Sequence, residues 1–539
     1  MRKGASASGA ARVVLTADRT LMSEYAGNIF FGFFATAPRG LIPAEDWLYF
    51  HFLCPSVPVD KRSGAPLRAP AGLRRIEAKL LASGFSREEV AVAHPDYLHK
   101  AVGSETRVIG ITEFDPLGIG PVTSTYTRLL GGEGSYNAYK FRELMEKRIP
   151  RRDGLRVIVG GPGAWQLVDE RVQREFGIDT TVLGEAENVV GPLFKDAVDG
   201  KPLPRVVQGT PVALEDMANI VAPTIHGLVE VARGCGRGCD FCNPTLTRLK
   251  CRSIPDILKE VKVNVRSGLS HVTLHAEDIF RYRANGVRPD PEAVEELFRA
   301  VCNVEGVRRV YVSHGAFASV LCAPAMLRGL SETMNLGKGN WRSYQVGLET
   351  GSPRLVEKHM AGKCKPFKPE EWPEVVEQAT GVSNDAYWLP CSTLIMGLPG
   401  ETPDDVAKTI ELIDDLKGYW AMFYPLFFIP LGHLSQADSF TEEKMLPEHF
   451  ELLLRCWEIN LRLWPNLFRD LSEGLRYNFA ERAFAKLALN RITSFSLRAV
   501  DDIRSRLREG KPFKIGKHPY LNPSGRTISN LLEARPTRP

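Results

Sequence analysis

The sequence has few of the features that mark membrane or secreted proteins. No uninterrupted apolar run reaches the ~18 residues that a membrane-spanning helix needs. Residues 1 to 12 are small and basic but have no apolar core of the kind that a signal peptide carries. The ten cysteines occur at no regular spacing, which argues against a scaffold held by disulfides. We therefore expect a cytoplasmic protein without a membrane partner.

The sequence also has little net charge. A formal value of +5 over 539 residues gives no strong general attraction for nucleic acid. Only the stretch from Arg498 to Arg538 departs from this balance, with ten Lys or Arg against four Asp or Glu. Such a stretch could bind nucleic acid or an acidic protein surface, although it is more often a solvated face. We do not expect a nucleic-acid partner.

The length indicates several domains, about three to four at ordinary domain size. From residue 47 onward, strand-like segments alternate with helix-like ones, beginning with a predicted strand at Leu48 to Cys54. This alternation predicts β-α units and an α/β fold with parallel sheets. The predicted parts are an N-terminal extension at 1–46, a doubly wound Rossmann-like domain at 47–207, a linker at 208–225, a second α/β domain at 226–440, and a helical C-terminal domain with a basic tail at 441–539.

Three cysteines follow a predicted buried strand at residues 228–231. Cys235, Cys239 and Cys242 have C-x3-C-x2-C spacing. Structural zinc would need a fourth ligand, commonly from a second C-x2-C or H-x3-H pair, and no such pair follows. Thiolates are ligands that iron prefers, and three on one loop suit a [4Fe-4S] cluster with one unligated iron corner. Three structural cysteines without a metal are the alternative.

This spacing, with the aromatic Phe241 before the last cysteine, resembles the signature of the radical S-adenosylmethionine (SAM) superfamily. In that superfamily the open iron chelates the amino and carboxylate groups of SAM. Two further motifs follow in the superfamily's order, E-T-G-S at 349–352 and G-L-P-G-E-T at 397–402. The segment Phe427 to Leu434 resembles the last barrel strand of B12-type members. The resemblance implies a partial (β/α)6 barrel that binds the cluster and SAM.

The resemblance also implies SAM contacts at the ends of the barrel strands. Where the superfamily has a G-G-E run that holds the SAM amino group, this sequence has His275-Ala276-Glu277-Asp278, so only the two carboxylates could take that part. An acidic helix N-cap is the alternative for Asp278. The implied SAM contacts are Phe241, Glu277, Asp278, Ser313, Glu349, Gly351, Ser352 and Gly397.

The N-terminal domain has glycines at the carboxyl ends of its predicted strands, where ligands bind in doubly wound sheets. One strand ends in Gly160-Gly161-Pro162-Gly163, and the next ends in Gly184-Glu185-Ala186-Glu187. Because glycine lacks the Cβ that would hold a ligand away from the backbone, these loops could take a large flat cofactor. An ordinary Rossmann-like domain with tight turns is the alternative.

Such a domain directly before a radical SAM loop resembles the cobalamin-binding domain of B12-dependent radical SAM proteins. The D-x-H-x-x-G loop that supplies a histidine to cobalt in other B12 proteins is absent, and His94 lacks its spacing. We expect that no histidine holds the lower face of the corrin. The implied cobalamin contacts are Thr112, Phe114, Asp115, Leu117, Gly118, Gly160, Gly161, Pro162, Gly184 and Glu185.

Together these resemblances imply a cobalamin-dependent radical SAM methyltransferase that methylates an unactivated sp3 carbon. In that family one SAM is split to the 5′-deoxyadenosyl radical, a second SAM methylates cobalamin, and an external donor supplies the electron. We expect a protein or peptide substrate, for example a glutamine of methyl-coenzyme M reductase. No motif identifies a catalytic side chain.

Three other functions stay open. The first is a B12-dependent radical SAM enzyme that forms a ring or rearranges a small molecule. The second is a methylthiotransferase acting on tRNA, which is disfavoured because the N-terminal part lacks the three spaced cysteines of a second cluster. The third is a non-catalytic redox or sensing module, which is disfavoured because a redox carrier needs no SAM pocket.

Overall fold

The computed structural model describes residues 11–27, 29–41, 45–243, 247–471, 478–510 and 515. The N-terminal part contains a six-stranded parallel sheet with the strand order β2-β1-β3-β4-β5-β6. Its strands are β1 (Val13–Ala17), β2 (Val90–Val92), β3 (Val108–Thr112), β4 (Arg156–Gly160), β5 (Thr180–Leu183) and β6 (Val206–Gln208). Val13 and Leu15 belong to one apolar core and Val14 to another, so both faces of the sheet are covered. The predicted doubly wound arrangement is confirmed.

The position of β1 changes the predicted N-terminal boundary. β1 pairs with β2 on one side and with β3 on the other, whereas the sequence analysis placed residues 13–17 in an extension that ended at residue 46. All five residues of β1 are buried, as a strand covered on both faces requires. The apolar pattern of residues 13–17 predicts a strand but not its neighbours, because the partner strands β2 and β3 lie far along the chain. The sheet therefore begins at Val13.

Residues 48 to 54, predicted as a strand, are mostly helical. α1 (Glu45–Leu48) continues into a π-helical turn (Tyr49–Leu53). The rings of Trp47 and His51, four residues apart, stack with centroids 5.2 Å apart, and Tyr49 stacks on Tyr136 at 3.7 Å. The repeated aromatic residues in this segment therefore reflect ring packing on a helix.

The second α/β part is a partial barrel of six parallel strands in sequential order. β7 (Leu228–Glu230) leads into the antiparallel pair β8 (Ala232–Arg233) and β9 (Lys250–Cys251), which encloses the cysteine loop. β7 then pairs with β10 (His271–His275), which pairs with β11 (Arg309–Val312). A second sheet contains β12 (Arg342–Glu349), β13 (Trp388–Met396) and β14 (Met422–Phe427). A bridge between His314 and Gln345 joins the two sheets, and the predicted partial barrel is confirmed.

Helices cover both α/β parts and form the C-terminal region. The remaining helices are α2 (Ala71–Ala82), α3 (Leu98–Ala101), α4 (Pro121–Leu130), α5 (Tyr136–Glu143), α6 (Glu170–Phe176), α7 (Glu187–Val198), α8 (Ile254–Arg266), α9 (Pro291–Cys302), α10 (Phe317–Cys322), α11 (Pro324–Thr333), α12 (Pro353–Cys364), α13 (Trp372–Asp385), α14 (Pro403–Asp415), α15 (Pro447–Leu471) and α16 (Phe479–Arg508). α15 packs on β14, α14 and α16. The predicted basic tail beyond Gly510 lies outside the described residues, Ile515 apart. Among the described helices, none combines the length and the apolar character needed to cross a bilayer.

The last barrel strand lies earlier than the predicted segment Phe427 to Leu434. β14 ends at Phe427, and Gly432 beyond it has a φ of 58°, which does not fit a strand. β14 contains Pro425, which an edge strand tolerates. The backbone N–H of Phe427 donates to Thr125 Oγ1 of α4 at 2.7 Å, so a helix of the N-terminal part covers this edge.

A buried ion network joins the two α/β parts. Glu260 of α8 is 1% exposed and accepts hydrogen bonds from Arg75 of α2 at 2.5 Å and from Arg252 at 3.0 Å. The backbone N–H of Ile220, in the segment between the two parts, donates to the same carboxylate at 3.2 Å. Removal of one partner from such a network leaves buried charges without compensation.

We expect Glu260→Ala to lower the free energy of unfolding by about 3–5 kcal/mol, because two buried guanidinium groups lose their carboxylate. Urea denaturation followed by tryptophan fluorescence measures the effect. Glu411→Ala removes an exposed carboxylate of α14 and is the matched control, for which we expect little change. Equal stabilities of the two variants would contradict the role given to the network.

Candidate functional site

Arg237 lies between the first two cysteines and fixes their loop to the barrel. Its buried guanidinium donates to the carbonyl oxygens of Gly362 and Lys363, near the end of α12, at 3.4 and 3.0 Å. It also donates to Asp278 Oδ2 at 3.0 Å and to Ser319 Oγ at 2.8 Å. The cysteine loop is therefore held against α12 and against the turn that follows β10.

The second half of the loop is held by close backbone contacts. The N–H of Asp240 donates to the carbonyl oxygen of His359 at 2.9 Å, and His359 Nε2 donates to the carbonyl oxygen of Pro399 at 2.9 Å. A Cβ at Gly432 would lie 2.6 Å from the carbonyl oxygen of Asp240, so only glycine fits there. The loop thus meets the G-L-P-G-E-T turn and the segment after β14.

Cationic side chains lie beside the three thiols. The ammonium of Lys363 is 2.6 Å from Glu349 Oε1, and its pKa is raised because Glu349, Cys239 and Cys242 together outweigh its burial. Burial raises the pKa of Cys239 to about 11, although the Lys363 ammonium lowers it. Burial also raises the pKa of Cys235. Metal binding would displace protons from these thiols, and the neighbouring cations would compensate the negative charge that results.

The sequence spacing of the cysteines suits a cluster, and their loop turns tightly at its glycines. In the described part of the chain, no three His, Cys, Asp or Glu side chains lie close enough together to hold one metal ion. A cubane cluster does not need such closeness, because each of its thiolates binds a different iron atom. Gly234, Gly236 and Gly238 have φ values of 67° to 78°, which allow the loop to turn tightly between the thiols.

Three of the residues predicted to contact SAM lie at the carboxyl ends of the barrel strands. Glu349 has a φ of 68° beside an irregularity in β12, and its carboxylate pairs with Lys363. Ser313 Oγ lies 2.9 Å from Nδ1 of His275. Burial raises the pKa of Glu277, which has His275 beside it. These polar groups occupy the end of the barrel that carries the cysteine loop.

Three other predicted SAM contacts have visible packing roles. Ser352 Oγ donates to Asp405 Oδ1 at 2.5 Å and also caps α12. A Cβ at Gly351 would lie 2.6 Å from a backbone oxygen of α14, and a Cβ at Gly397 would lie 2.0 Å from the ring of Phe440. These residues join α12, α14 and the C-terminal segment behind the barrel end.

Asp278 and Phe241 also have structural partners. Asp278 precedes a 3-10 turn, but its side chain accepts no capping hydrogen bond and pairs instead with Arg237 and Ser319. Its Oδ1 is buried and has no hydrogen-bond partner among the described residues. Phe241 packs against the hydrophobic core of the barrel. The side chain of Asp278 therefore does not act as the helix N-cap that was considered as the alternative.

Arg233, two residues before Cys235, joins the cysteine loop to the N-terminal sheet. Its guanidinium donates to Glu185 Oε2 and Glu187 Oε1, both at 2.8 Å, and to Glu230 Oε1 at 2.7 Å. Glu185, a predicted cobalamin contact, also accepts from the N–H of Val212 at 2.8 Å. The carboxyl end of β5 therefore lies directly beside the cysteine loop.

The other predicted cobalamin contacts lie along the same edge of the sheet. They are Thr112 at the end of β3, Phe114, Asp115, Leu117 and Gly118 after it, Gly160, Gly161 and Pro162 at the end of β4, and Gly184 after β5. The carboxylate of Asp115 accepts from Ile119 N, Gly120 N, Thr123 Oγ1 and Gln166 Nε2, so it organises the loop after β3.

The glycines at this edge allow two loops to touch, and apolar side chains remain exposed there. A Cβ at Gly161 would lie 2.5 Å from the carbonyl oxygen of Glu113. Phe114, Ile119 and Val168 are 59%, 44% and 40% exposed. Exposed apolar groups above the carboxyl ends of parallel strands fit a large flat ligand. The edge therefore fits the predicted corrin site.

His94, the histidine considered for the corrin in the sequence analysis, has a structural role among the described residues. His94 follows β2 and is fully buried; its Nδ1 accepts from the N–H of Asp96 at 3.2 Å. Burial lowers the pKa of His94 to about 4. Its side chain therefore organises the turn after β2 as a neutral group.

Sequence reasoning missed four cationic residues of this site. Arg233, Arg237, Arg281 and Lys363 lie around the cysteine loop; Arg281 donates to the carbonyl oxygen of Cys235 at 3.1 Å. The R-G-C-G-R-G-C run could have indicated Arg233 and Arg237. Arginines that stand between glycines and thiols have few local partners, so they are expected to pair with distant segments. Arg281 and Lys363 have no such signal, since they come from distant segments.

Comparison with known proteins agrees with the barrel and with the two-part fold. Residues 229–413, which contain the cysteine loop and most of the barrel, match the model of the Radical SAM superfamily. The structure of the radical S-adenosylmethionine methyltransferase TsrM from Kitasatospora setae, with cobalamin and a [4Fe-4S] cluster bound, matches with a TM-score of 0.50 and 15% identity. The match covers 79% of this chain and 74% of that chain, and it confirms the fold.

Sequence relatives come from another branch of the superfamily. The chain is 23% identical over 308 residues to the tRNA-2-methylthio-N(6)-dimethylallyladenosine synthase of Marinomonas sp. (strain MWYL1), which covers 55% of this chain and 65% of that protein. It is 25% identical over 232 residues to the enzyme of the same name from Thermobifida fusca (strain YX), covering 43% and 44%. The chain thus spans less than two thirds of the length of these relatives.

We expect Gly362→Ala to displace the cysteine loop, because the added Cβ would lie 1.7 Å from the carbonyl oxygen of Arg237. Cys239 is 6% exposed, and in metal-free protein its alkylation by iodoacetamide should become faster. Mass spectrometry of the labelled peptides measures the rate. Gly418→Ala is the control, since nothing lies within 4 Å of its added Cβ. Unchanged labelling of Cys239 in Gly362→Ala would contradict the packing described.

Asp18 and Glu113 are buried carboxyl groups that follow β1 and β3, and their burial makes the stability of the fold depend on pH. Glu113 Oε1 accepts from the N–H of Asp18 at 3.1 Å, and burial raises the pKa of both groups. A raised pKa in the folded state favours folding at low pH, and this contribution is lost as the pH rises through the folded pKa.

We therefore expect Glu113→Gln to be more stable than the wild type at pH 7, with a difference that shrinks towards pH 4, near the ordinary pKa values of 3.8 and 4.5 for Asp and Glu. Urea midpoints measured across this range test it. The exposed Glu88→Gln is the control, for which no such pH-dependent difference is expected. A Glu113→Gln variant that is less stable at pH 7 than at pH 4, relative to wild type, would contradict the assignment.

Proposed function

We propose that this protein is a cobalamin-dependent radical SAM methyltransferase. The observation that carries the proposal is the contact of Arg233 with Glu185 and Glu187, which sets the cysteine loop beside the carboxyl edge of the N-terminal sheet. The cysteine loop and the carboxyl edge of the N-terminal sheet would then bind their cofactors next to each other. The fold likeness to TsrM supports the same arrangement.

The proposal gives particular tasks to the residues of this chain. Cys235, Cys239 and Cys242 would hold a [4Fe-4S] cluster, and Lys363 would offset the negative charge of its thiolates. Glu277 and Glu349 would face the ammonium or hydroxyl groups of SAM. When bound, the cluster, SAM and cobalamin would together supply hydrogen abstraction from carbon and a transferable methyl group.

The N-terminal edge would hold cobalamin on its apolar side. Phe114, Ile119 and Val168 would cover the corrin, while Gly161 lets the loops after β3 and β4 pack against each other below it. An sp3 carbon has no lone pair to attack SAM directly, so a radical step and a separate methyl donor would both be needed. An external one-electron donor and a cytoplasmic setting are part of the proposal.

For the acceptor we propose an unactivated carbon of a protein or peptide, with a glutamine such as that of methyl-coenzyme M reductase as the narrower form. Exposed aromatic residues near the barrel support a peptide. Phe33 and Phe34 are 42% and 37% exposed, and the ring of Phe33 stacks on Tyr424 of β14 at 6.5 Å. Aromatic side chains are enriched where proteins bind peptides.

A second candidate is methylthio transfer to tRNA, which the names of the sequence relatives favour. Against it, this sequence has one cysteine, Cys54, before the radical SAM loop, and a second cluster would need three thiolates. Cys54 is buried beside Arg19.

We expect Cys239→Ala to lower the iron content of anaerobically reconstituted protein from about four atoms per chain to a small residue, because the loop loses a thiolate ligand. Production of 5′-deoxyadenosine from SAM under reducing conditions should be lost with it. Iron analysis and chromatography measure both quantities. Cys302→Ala removes a thiol outside the loop and should change neither. Zinc in place of iron in the wild-type protein would refute the cluster.

We expect cobalamin to bind the wild-type protein and, with SAM carrying a deuterated methyl group, to give a labelled peptide product. Replacing Phe114 by Asp should weaken cobalamin binding without loss of iron, because it puts a charge on the apolar edge. Visible absorbance after gel filtration measures the bound corrin, and mass spectrometry identifies the labelled acceptor. Val221→Asp is the control, because it puts the same charge at a residue 36% exposed away from the carboxyl edge of the sheet. Label found in tRNA and absent from peptides would decide for the second candidate.

A further inference from the structure

The barrel has a cavity at the end opposite the cysteine loop. Its volume is about 330 Å³, within the range of small-molecule sites. The lining residues come from the turns before β10 and β11 and from the N-terminal segment, and they are Gly27, Gly268, Ser270, His271, Arg308, Arg309 and Tyr311. None of them belongs to the site described above.

The two turns that form this cavity are fixed to each other. The backbone N–H groups of Arg308 and Arg309 both donate to the carbonyl oxygen of Ser270, at 2.7 and 3.2 Å. The rings of His271 and Tyr311, on neighbouring strands, lie edge to face at 6.1 Å. The cavity walls are therefore built before any ligand arrives.

The cavity carries positive charge without a matching carboxylate. Arg308 and Arg309 form no ion pair with any described residue. Arg342 lies 5.0 Å from the ring of Tyr311, is 4% exposed, and donates only to the carbonyl oxygens of Val310 and Trp341 and to Asn340. Arg309 and burial together lower the pKa of Arg342, burial more strongly.

Another arginine beside the cavity, Arg68, is paired with a carboxylate. Glu24 pairs with Arg68 at 2.8 Å, and Arg68 also donates to the carbonyl oxygen of Ser267, next to the cavity. Arg308 and Arg309 line the cavity, Arg342 lies over the ring of Tyr311, and guanidinium groups without a carboxylate partner attract anions. Arginine forks match the oxygen geometry of phosphate groups as well as that of carboxylates, and a phosphate or pyrophosphate group carries more negative charge than a single carboxylate.

We infer that this cavity binds a small molecule that carries a phosphate or pyrophosphate group. Arg308 and Arg309 contact its oxygens, Ser270 and Tyr311 offer hydroxyl donors, and Arg342 adds positive charge from behind Tyr311. The volume limits the ligand to about the size of a phosphorylated metabolite. The site lies outside the radical SAM residues and does not depend on the proposed function.

The position also connects this cavity with the reaction end of the barrel. His271 and His275 lie on the same face of β10, and Tyr311 of β11 is followed two residues later by Ser313, just beyond the end of that strand. Val272, Leu274, Val310 and Val312 lie on the opposite faces of these strands and are buried in the hydrophobic core. Four residues of strand span about 13 Å between the two ends.

Isothermal titration of the full-length protein with inorganic pyrophosphate tests the inference. We expect saturable binding that weakens with added salt, and a loss of at least about tenfold in affinity in R308A/R309A. R308K/R309K keeps the charge and should lose less than the alanine variant. R171A/R174A removes two exposed arginines of α6 and should bind like the wild type.

Each of the following results would overturn the inference. Wild-type protein that shows no saturable binding of pyrophosphate, or equal loss in R308A/R309A and R171A/R174A, excludes a site at this cavity. Malonate that binds as tightly as pyrophosphate excludes a preference for phosphate. Circular dichroism establishes that each variant is folded. If R308A/R309A does not fold, R308K/R309K takes its place. Weaker binding of pyrophosphate by R308K/R309K then supports the site, and unchanged binding overturns it.

Discussion

The guanidinium of Arg237 is the interaction on which the candidate site depends. It is buried and reaches the end of α12 through backbone carbonyls and the turn after β10 through Asp278 and Ser319. A loop of three thiols has no core of its own, so it takes its shape from what it is tied to. Because the bonds of Arg237 run to two separate segments, the loop is fixed in position and in orientation. The thiols acquire cations as neighbours in the same step, since Lys363 comes from α12.

The contact between the two α/β parts follows the same logic at a larger scale. Glu260 holds α2 against α8 in the interior, while Arg233 holds the edge of the N-terminal sheet beside the cysteine loop. The contact of Glu260 is buried and sets the distance between the two α/β parts. The contact of Arg233 lies at the candidate site and sets which edges of the two parts meet. Ligands of doubly wound sheets and of barrels both bind at the carboxyl ends of strands. Here those ends face one another, which is the geometry that two cooperating cofactors require.

The barrel has two chemically different ends. The carboxyl ends of its strands carry thiols, carboxylates and a lysine, and the amino ends carry three arginines without carboxylates. Conventional barrels place their chemistry at the first end and use the second for stability. A cluster of uncompensated arginines does not stabilise a fold, because like charges repel. The phosphate ligand proposed above would give the amino end a binding role as well.

The sequence by itself determined the order of the parts, the cysteine motif and the α/β class. These follow from local patterns, namely apolar runs ending in glycine and a fixed spacing of thiols, which do not depend on distant residues. Phe114 and Asp115 could be placed at a strand end for the same reason. Only the tertiary structure decided that β1 lies in the middle of the sheet, that residues 48–54 are mostly helical, and that Ser352 and Gly351 join helices. It also brought Lys363 and Arg281 to the thiols. Long-range pairing selects among partners that local sequence cannot distinguish, and burial then sets the charge environment of each group.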